Sequence, residues 1–314
     1  MDAAISSDRF PLRLGTRASP LAMAQAHMVK AAILAKTGWS EGAIELVPVT
    51  ASGDKIQDRA LAEVGGKALW TKELDALLAD GRIDFSVHSM KDVETIRPTL
   101  FALAAMLPRA DVRDRLIGAD SVASLAQGAV VGTSSPRRTA QLLRLRPDLK
   151  IILFRGNVAT RLGKLERGEA DATLLAAAGL DRLDMGKTGH AIPIEEMLPA
   201  PSQAAIGVEC RAEDEPVRTL LDNINHKPTC VCVEAERALL AELGADCQSP
   251  VAALAIVEKG GAIRLKAQLL SVDGQEAVDG DILVDGNTDK TPEALARKLL
   301  DTAPPEVRKL FAGR

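Results

Sequence analysis

The sequence predicts an α/β protein with mainly parallel sheets, followed by a smaller α+β module with an antiparallel sheet. Two patterns carry that expectation. From residue 11 to about residue 209, short apolar runs rich in Val, Ile and Leu alternate with segments of helical period. After residue 226, three alternating strands separated by Gly-containing turns run into a single helix. Size agrees, since 314 residues with 46% hydrophobic side chains are enough for two or three separate cores.

Residues 11–16 read as a strand and 19–36 as a helix, with Ser19 as N-cap and Pro20 at the first helical position. A strand at 43–49, a helix at about 67–79 and a strand at 83–88 follow. Between them residues 50–66 are polar, Gly-bounded and without period, a length and composition typical of a functional lid. Strands near 115–118, 129–132, 150–154 and 171–175 then alternate with helices near 136–146, 157–167 and 176–184. The stretch L-P-A-P-S-Q-A at 198–204 reads as a linker, and 205–209 as a strand. A helix at about 231–243 precedes A-D-C-Q-S-P, and strands 251–257, 263–270 and 276–285 lead to a helix at 292–302. Three domains are expected.

Charge and composition narrow the function. A net charge of −4 and 2% aromatics with no Tyr argue against a phosphate-backbone or single-strand nucleic-acid binder. No apolar run is long enough to span a membrane and no basic, apolar leader is visible, so a soluble cytoplasmic protein is expected. The cysteines (210, 230, 232 and 247) form no C-x-x-C pair and the four His are scattered, so no metal site is expected. Against this acidic background, residues 130–161 carry seven Lys or Arg and one acid. There V-V-G-T-S-S-P-R-R and I-I-L-F-R-G-N-V-A-T-R each place arginines at a strand–turn–helix junction, as L-R-L-G-T-R-A-S-P does at the N-terminus. Helix N-termini and guanidinium forks both favour planar oxyanions. The expected ligand is a small polyanion held between domains.

Seven segments occurring in one order resemble the porphobilinogen deaminase (hydroxymethylbilane synthase) family. They are R-L-G-T-R-A-S-P-L-A at 13–22, E-V-G-G-K-A-L at 63–69, V-H-S-M-K-D at 87–92, V-G-T-S-S-P-R-R at 131–138, R-G-N-V-A-T-R at 155–161, A-A-A-G-L-D-R-L at 176–183 and D-C-Q-S-P at 246–250. The resemblance implies two periplasmic-binding-protein-like lobes plus a C-terminal α+β domain. The corresponding boundaries are 1–107 plus 205–224, 110–200 and 228–314. It also implies a monomer that condenses four porphobilinogen molecules with loss of ammonia, primed by a covalent dipyrromethane and needing no nucleic acid or membrane.

Carried over residue by residue, the resemblance makes Cys247 the thioether attachment point, where a thiolate suits attack on an electrophilic methylene. It makes Asp92 the catalytic carboxylate, able to stabilise the cation left when ammonia departs and to steer the later proton loss. Lys91, Ser135, Arg137 and Arg138 are the further cofactor-binding candidates, with Asp92. Arg17, Ser19, Trp70, Arg155, Arg161, Arg182 and Gln203 are the substrate-binding candidates.

The chain departs from the family pattern at Glu63, where Lys is frequent, and at Trp70, where Phe is common. Ser202 and Ala204 replace glycines that flank Gln203, and V-E-T replaces V-P-T after Asp92, which reads as a minor loop change. A non-enzymatic carboxylate-binding protein would also explain the arginines, but neither Cys247 nor a third domain. A P-loop reading fails because G-G-K-A at 65–68 lacks the upstream Gly and the Ser or Thr.

Overall fold

The computed structural model describes residues 5, 9–50, 70–284 and 290–311. The expected lid and Glu63 therefore lie outside the described residues. The first half carries β1 (Leu12–Arg17), α1 (Pro20–Thr37), β2 (Ile44–Val49), α2 (Lys72–Ala79), β3 (Phe85–Ser89) and β4 (Phe101–Met106). Next come β5 (Asp114–Ile117), β6 (Val130–Thr133), α3 (Pro136–Leu145), β7 (Lys150–Leu153), α4 (Val158–Glu166), β8 (Ala172–Ala176), α5 (Ala177–Asp181) and β9 (His190–Ala191). The chain ends with β10 (Ile206–Arg211), α6 (Glu215–Asp222), α7 (Lys227–Leu243), β11 (Val251–Val257), β12 (Ile263–Leu270), β13 (Ala277–Val284), α8 (Pro292–Thr302) and α9 (Pro305–Arg308).

These elements form two compact units. Among the described residues, unit 1 comprises 5, 9–50, 70–110 and 204–230, and unit 2 comprises 111–203, 231–284 and 290–311. Unit 1 holds a five-stranded sheet of order β2-β1-β3-β10-β4. Helix α1 begins where the sequence predicts it: Ser19 accepts from the Ala22 amide, and Gly38 ends it in the left-handed region at φ 71°. Its buried residues Ala22, Ala26, Val29 and Ile33 recur at helical spacing. The last three of these join Leu12, Leu14, Phe85 and Val208 in one core.

Unit 2 contains a second five-stranded sheet of order β7-β6-β8-β5-β9, and the three-stranded antiparallel sheet β11-β12-β13. Leu116, Val131, Leu142 and Leu174 pack in one core. Leu239, Leu265, Leu269, Leu295 and Phe311 pack in another.

The expected class stands, and the five-stranded sheets are mainly parallel with one reversed strand each. In each, four strands run in one direction and one inserted strand is antiparallel to both neighbours: β10 between β3 and β4, and β5 between β8 and β9. Apolar periodicity reports burial and not strand direction, so these reversals left no local signal. Among the described residues no helix is long and apolar enough to cross a membrane, and no group of His, Cys, Asp or Glu could hold a metal ion.

Candidate active site

In unit 1, β1 and β3 are parallel neighbours, and the chain leaves β1 for β2 on one side and β3 on the other. Ligands favour the carboxyl ends of strands at such a switch point. Arg17 is the last residue of β1. Lys91 and Asp92 follow β3 directly, in a short 3-10 turn spanning Met90–Asp92. A pocket of about 50 Å³ opens here, lined by Arg17, Ser19, Trp70, Thr71, His88 and Asp92 among others. A single water needs roughly 10–15 Å³ on this measure, so a carboxylate-sized group fits. The Arg17 guanidinium lies over the Trp70 ring, 4.1 Å from its centroid, a cation–π arrangement that seats the charge at the pocket. The Asp92 carboxylate is half-buried, and no described residue gives it a hydrogen bond or ion pair.

His88 was passed over in the sequence reading, although a histidine inside an apolar strand was the available signal. It is buried, with Nε2 2.9 Å from Ser86 Oγ and 3.3 Å from Glu209 Oε2. Burial pushes the Glu209 carboxyl up, but the bonds from His88 and Arg97 outweigh it and hold that carboxyl at about 2.

Unit 2 repeats the arrangement. β6, β7 and β8 are parallel, so the segments after them emerge at one end of the sheet. Ser134 and Ser135 follow β6, Arg155 follows β7, and Arg182 follows α5 beyond β8. Ser135 caps α3, accepting from the Arg138 amide. Arg161 joins two of these loops, donating from Nε to the Gly156 carbonyl at 3.0 Å and from Nη2 to Ser134 Oγ at 3.3 Å. Burial lowers the Arg182 pKa to about 10, which leaves it charged at neutral pH.

Arg137 and Arg138 face inward and are 3% and 5% exposed. Both donate to Asp114, Arg137 at 2.8 Å and Arg138 at 2.7 Å, and Gln203 Nε2 donates to the same carboxylate at 2.9 Å. Burial alone would raise the Asp114 pKa, but the two guanidiniums outweigh it and hold the carboxyl far below the usual range. Three residues expected to meet cofactor or substrate are thus gathered on an aspartate that sequence reasoning missed. Its one signal was an acid opening an apolar strand.

Cys247 is exposed in the loop between α7 and β11. Asp246 and Ser249 clasp that loop: the Asp246 amide donates to Ser249 Oγ at 3.2 Å, and Ser249 N to the Asp246 carbonyl at 3.0 Å. A dipyrromethane fits these residues on two counts. Cys247 is exposed, which leaves room for a bulky substituent, whereas Cys210 is buried and its thiol pushed up to about 11 by that burial. The buried Nε–H groups of Arg137 and Arg138 also lack an acceptor among the described residues, which suits a ligand bearing carboxylates.

The fold and these residues define an α/β protein with cationic side chains at its strand ends and one exposed cysteine. Residues 12–219 match the family described as "Porphobilinogen deaminase, dipyromethane cofactor binding domain". Residues 230–303 match "Porphobilinogen deaminase, C-terminal domain". The chain is 59% identical to the porphobilinogen deaminase of Sphingopyxis alaskensis over 96% of its own length and 97% of that relative's. It is 47% identical to that of Paracoccus denitrificans, over 85% and 86% respectively. Among solved structures it is similar to a periplasmic substrate-binding protein of an ABC transporter from Coxiella burnetii, at 14% identity and a TM-score of 0.41, covering 72% of this chain and 96% of that one. The chain belongs to the porphobilinogen deaminase family, the hydroxymethylbilane synthases, which are transferases of tetrapyrrole biosynthesis with a dipyrromethane cofactor.

Proposed function

We propose that Asp92 is the catalytic carboxylate of this reaction, that Arg17 and Ser19 bind a carboxylate of porphobilinogen beside it, and that Cys247 carries the dipyrromethane. The observation behind this reading is the pocket in unit 1, where a carboxylate with no partner among the described residues stands near a guanidinium seated on Trp70. A substrate acetate or propionate on Arg17 brings its pyrrole to the same small pocket as Asp92. Asp92, as the anion, stabilises positive charge on the pyrrole as ammonia leaves and then takes up the proton lost when the ring regains aromaticity. Lys91 adds a cation beside it.

When bound, the dipyrromethane supplies a nucleophilic pyrrole carbon and an anchor for the growing chain. Ser135, Arg137 and Arg138 hold its carboxylates, while Arg155, Arg161, Arg182 and Gln203 serve the substrate units. The domains run 1–107 plus 205–224, 110–200 and 228–314, a division supported by a separate main hydrophobic core within each. The protein acts as a cytoplasmic monomer on porphobilinogen, without nucleic acid or membrane, in keeping with its net charge of −4 and 2% aromatics.

Intact mass under denaturing conditions, beside Cys247→Ser, tests the attachment. The parent is expected to exceed its sequence mass by one dipyrromethane and the variant to show no excess. A parent that stays at sequence mass after incubation with porphobilinogen overturns the assignment.

A further inference from the structure

The V-E-T departure after Asp92 is not a minor loop change, because Glu94 belongs to a partly buried charge cluster that supports the pocket from two sides. Arg97 is its centre. Its Nε and Nη2 donate to Glu209 Oε1 and Oε2, each at 2.9 Å. Its Nη2 and Nη1 donate to Asp75 Oδ1 and Oδ2 at 2.6 and 3.0 Å. Its Nη1 also donates to Glu94 Oε2 at 2.7 Å. A guanidinium has five N–H donors, and these bonds, with a longer one from Nη1 to Thr71 Oγ1 at 3.4 Å, engage all of them. Lysine, with three donors on one nitrogen, cannot reproduce two forked pairs and a fifth bond.

The cluster reaches the pocket by two routes. Glu94 accepts the Thr71 hydroxyl at 2.9 Å, and Thr71 is a pocket wall next to Trp70. Glu209 lies 3.3 Å from His88, another lining residue. Glu94 is itself two residues past Asp92, so the same guanidinium restrains the segment leaving the carboxylate. It further ties that segment to α2 through Asp75 and to β10 through Glu209. Arg97, Glu94, Asp75 and Glu209 do not line the pocket, so their action on the reaction passes through the residues they hold.

We propose that Arg97, with Glu94, is a positioning residue that sets the spacing of Trp70 and Thr71 relative to Asp92 and so tunes substrate affinity. The link to affinity rests on the assignment of this pocket to porphobilinogen; the link to Trp70 does not.

The test uses the full-length holoprotein with Trp39→Phe, which leaves Trp70 as the sole fluorophore of its kind. Arg97→Met, Arg97→Lys and Glu94→Gln are compared by acrylamide quenching of Trp70 without substrate, by thermal unfolding, and by kcat and KM. Arg97→Met is expected to make Trp70 severalfold more quenchable and to raise KM about tenfold with a smaller change in kcat. Arg97→Lys is expected to recover little of either. Unchanged quenching in a folded Arg97→Met protein overturns the proposal. If Arg97→Met does not fold, Glu94→Gln and Thr71→Val keep the Arg97 pairs to Asp75 and Glu209, and unchanged Trp70 quenching in both overturns it equally. Looser Trp70 with unchanged KM overturns the assignment of the pocket to porphobilinogen and leaves the positioning of Trp70 standing.

Discussion

Two aspartates in this chain are opposites in environment, and the contrast predicts opposite phenotypes. Asp114 is 1% exposed and accepts from Arg137, Arg138 and Gln203. Replacing it with Asn leaves two buried guanidiniums without a counter-charge, a change that costs about 3–5 kcal/mol when a buried pair is broken from one side. Urea unfolding of Asp114→Asn should show that loss, and a midpoint equal to the parent's would mean the cluster contributes nothing. Asp92 has no hydrogen-bond or ion-pair partner among the described residues, so Asp92→Asn removes no such contact among them. Its unfolding midpoint should stay within about 0.5 kcal/mol of the parent, while kcat falls about 10²–10⁴-fold with the loss of the stabilising, proton-accepting anion. An Asp92→Asn enzyme that keeps most of its kcat removes Asp92 from the chemistry.

At the scale of elements, the linker before β10 shows what replacing its glycines does. Ser202 and Ala204 both sit in the left-handed region, at φ 63° and 69°, a conformation that costs a non-glycine residue roughly 1–2 kcal/mol. Ser202 is also buried, its hydroxyl has no hydrogen-bond partner among the described residues, and its amide is held by Glu236 Oε2 at 2.6 Å. Ser202→Gly should therefore stabilise the protein by about 1–2 kcal/mol in denaturant unfolding. A destabilised variant would show that the hydroxyl contributes favourably. The backbone requirement was legible in the sequence because a glycine has a known conformational reason. Strands β11 and β12 were legible to the residue, since Pro250 and the Gly260–Gly261 turn bound the apolar run of β11, and β12 then alternates apolar and polar along most of its length. β4 was not: F-A-L-A-A-M has no alternation, and it is a strand because β10 pairs with it from more than a hundred residues away. α6 was missed although Asp214 and Pro216 form a regular N-terminal signal, because eight residues give little helical period to read. Asp114 and Arg97 were illegible for the same reason as β4, since their partners come together only in the fold.

At the scale of the whole molecule, each unit keeps a buried carboxylate ionised by pairing it with cations. Glu209 does so in unit 1, at about 2, and Asp114 in unit 2 lies lower still. A carboxyl whose pKa is depressed in the folded state contributes its full stability above the unfolded value of about 4, and loses it as pH falls towards the folded value. Both units should therefore weaken together as pH drops from about 5 towards 2, by proton uptake that the unfolded chain accepts and the folded chain resists. Glu209→Gln removes one of the two titrations. It should be less stable than the parent at neutral pH, because Arg97 and His88 lose a charged partner, but its unfolding free energy should fall less steeply across this window. The expected difference in slope approaches one proton equivalent, about 1.4 kcal/mol per pH unit. Equal slopes in parent and variant would place the acid sensitivity elsewhere, and a steeper slope in the variant would mean that Glu209 already binds its proton in the folded state.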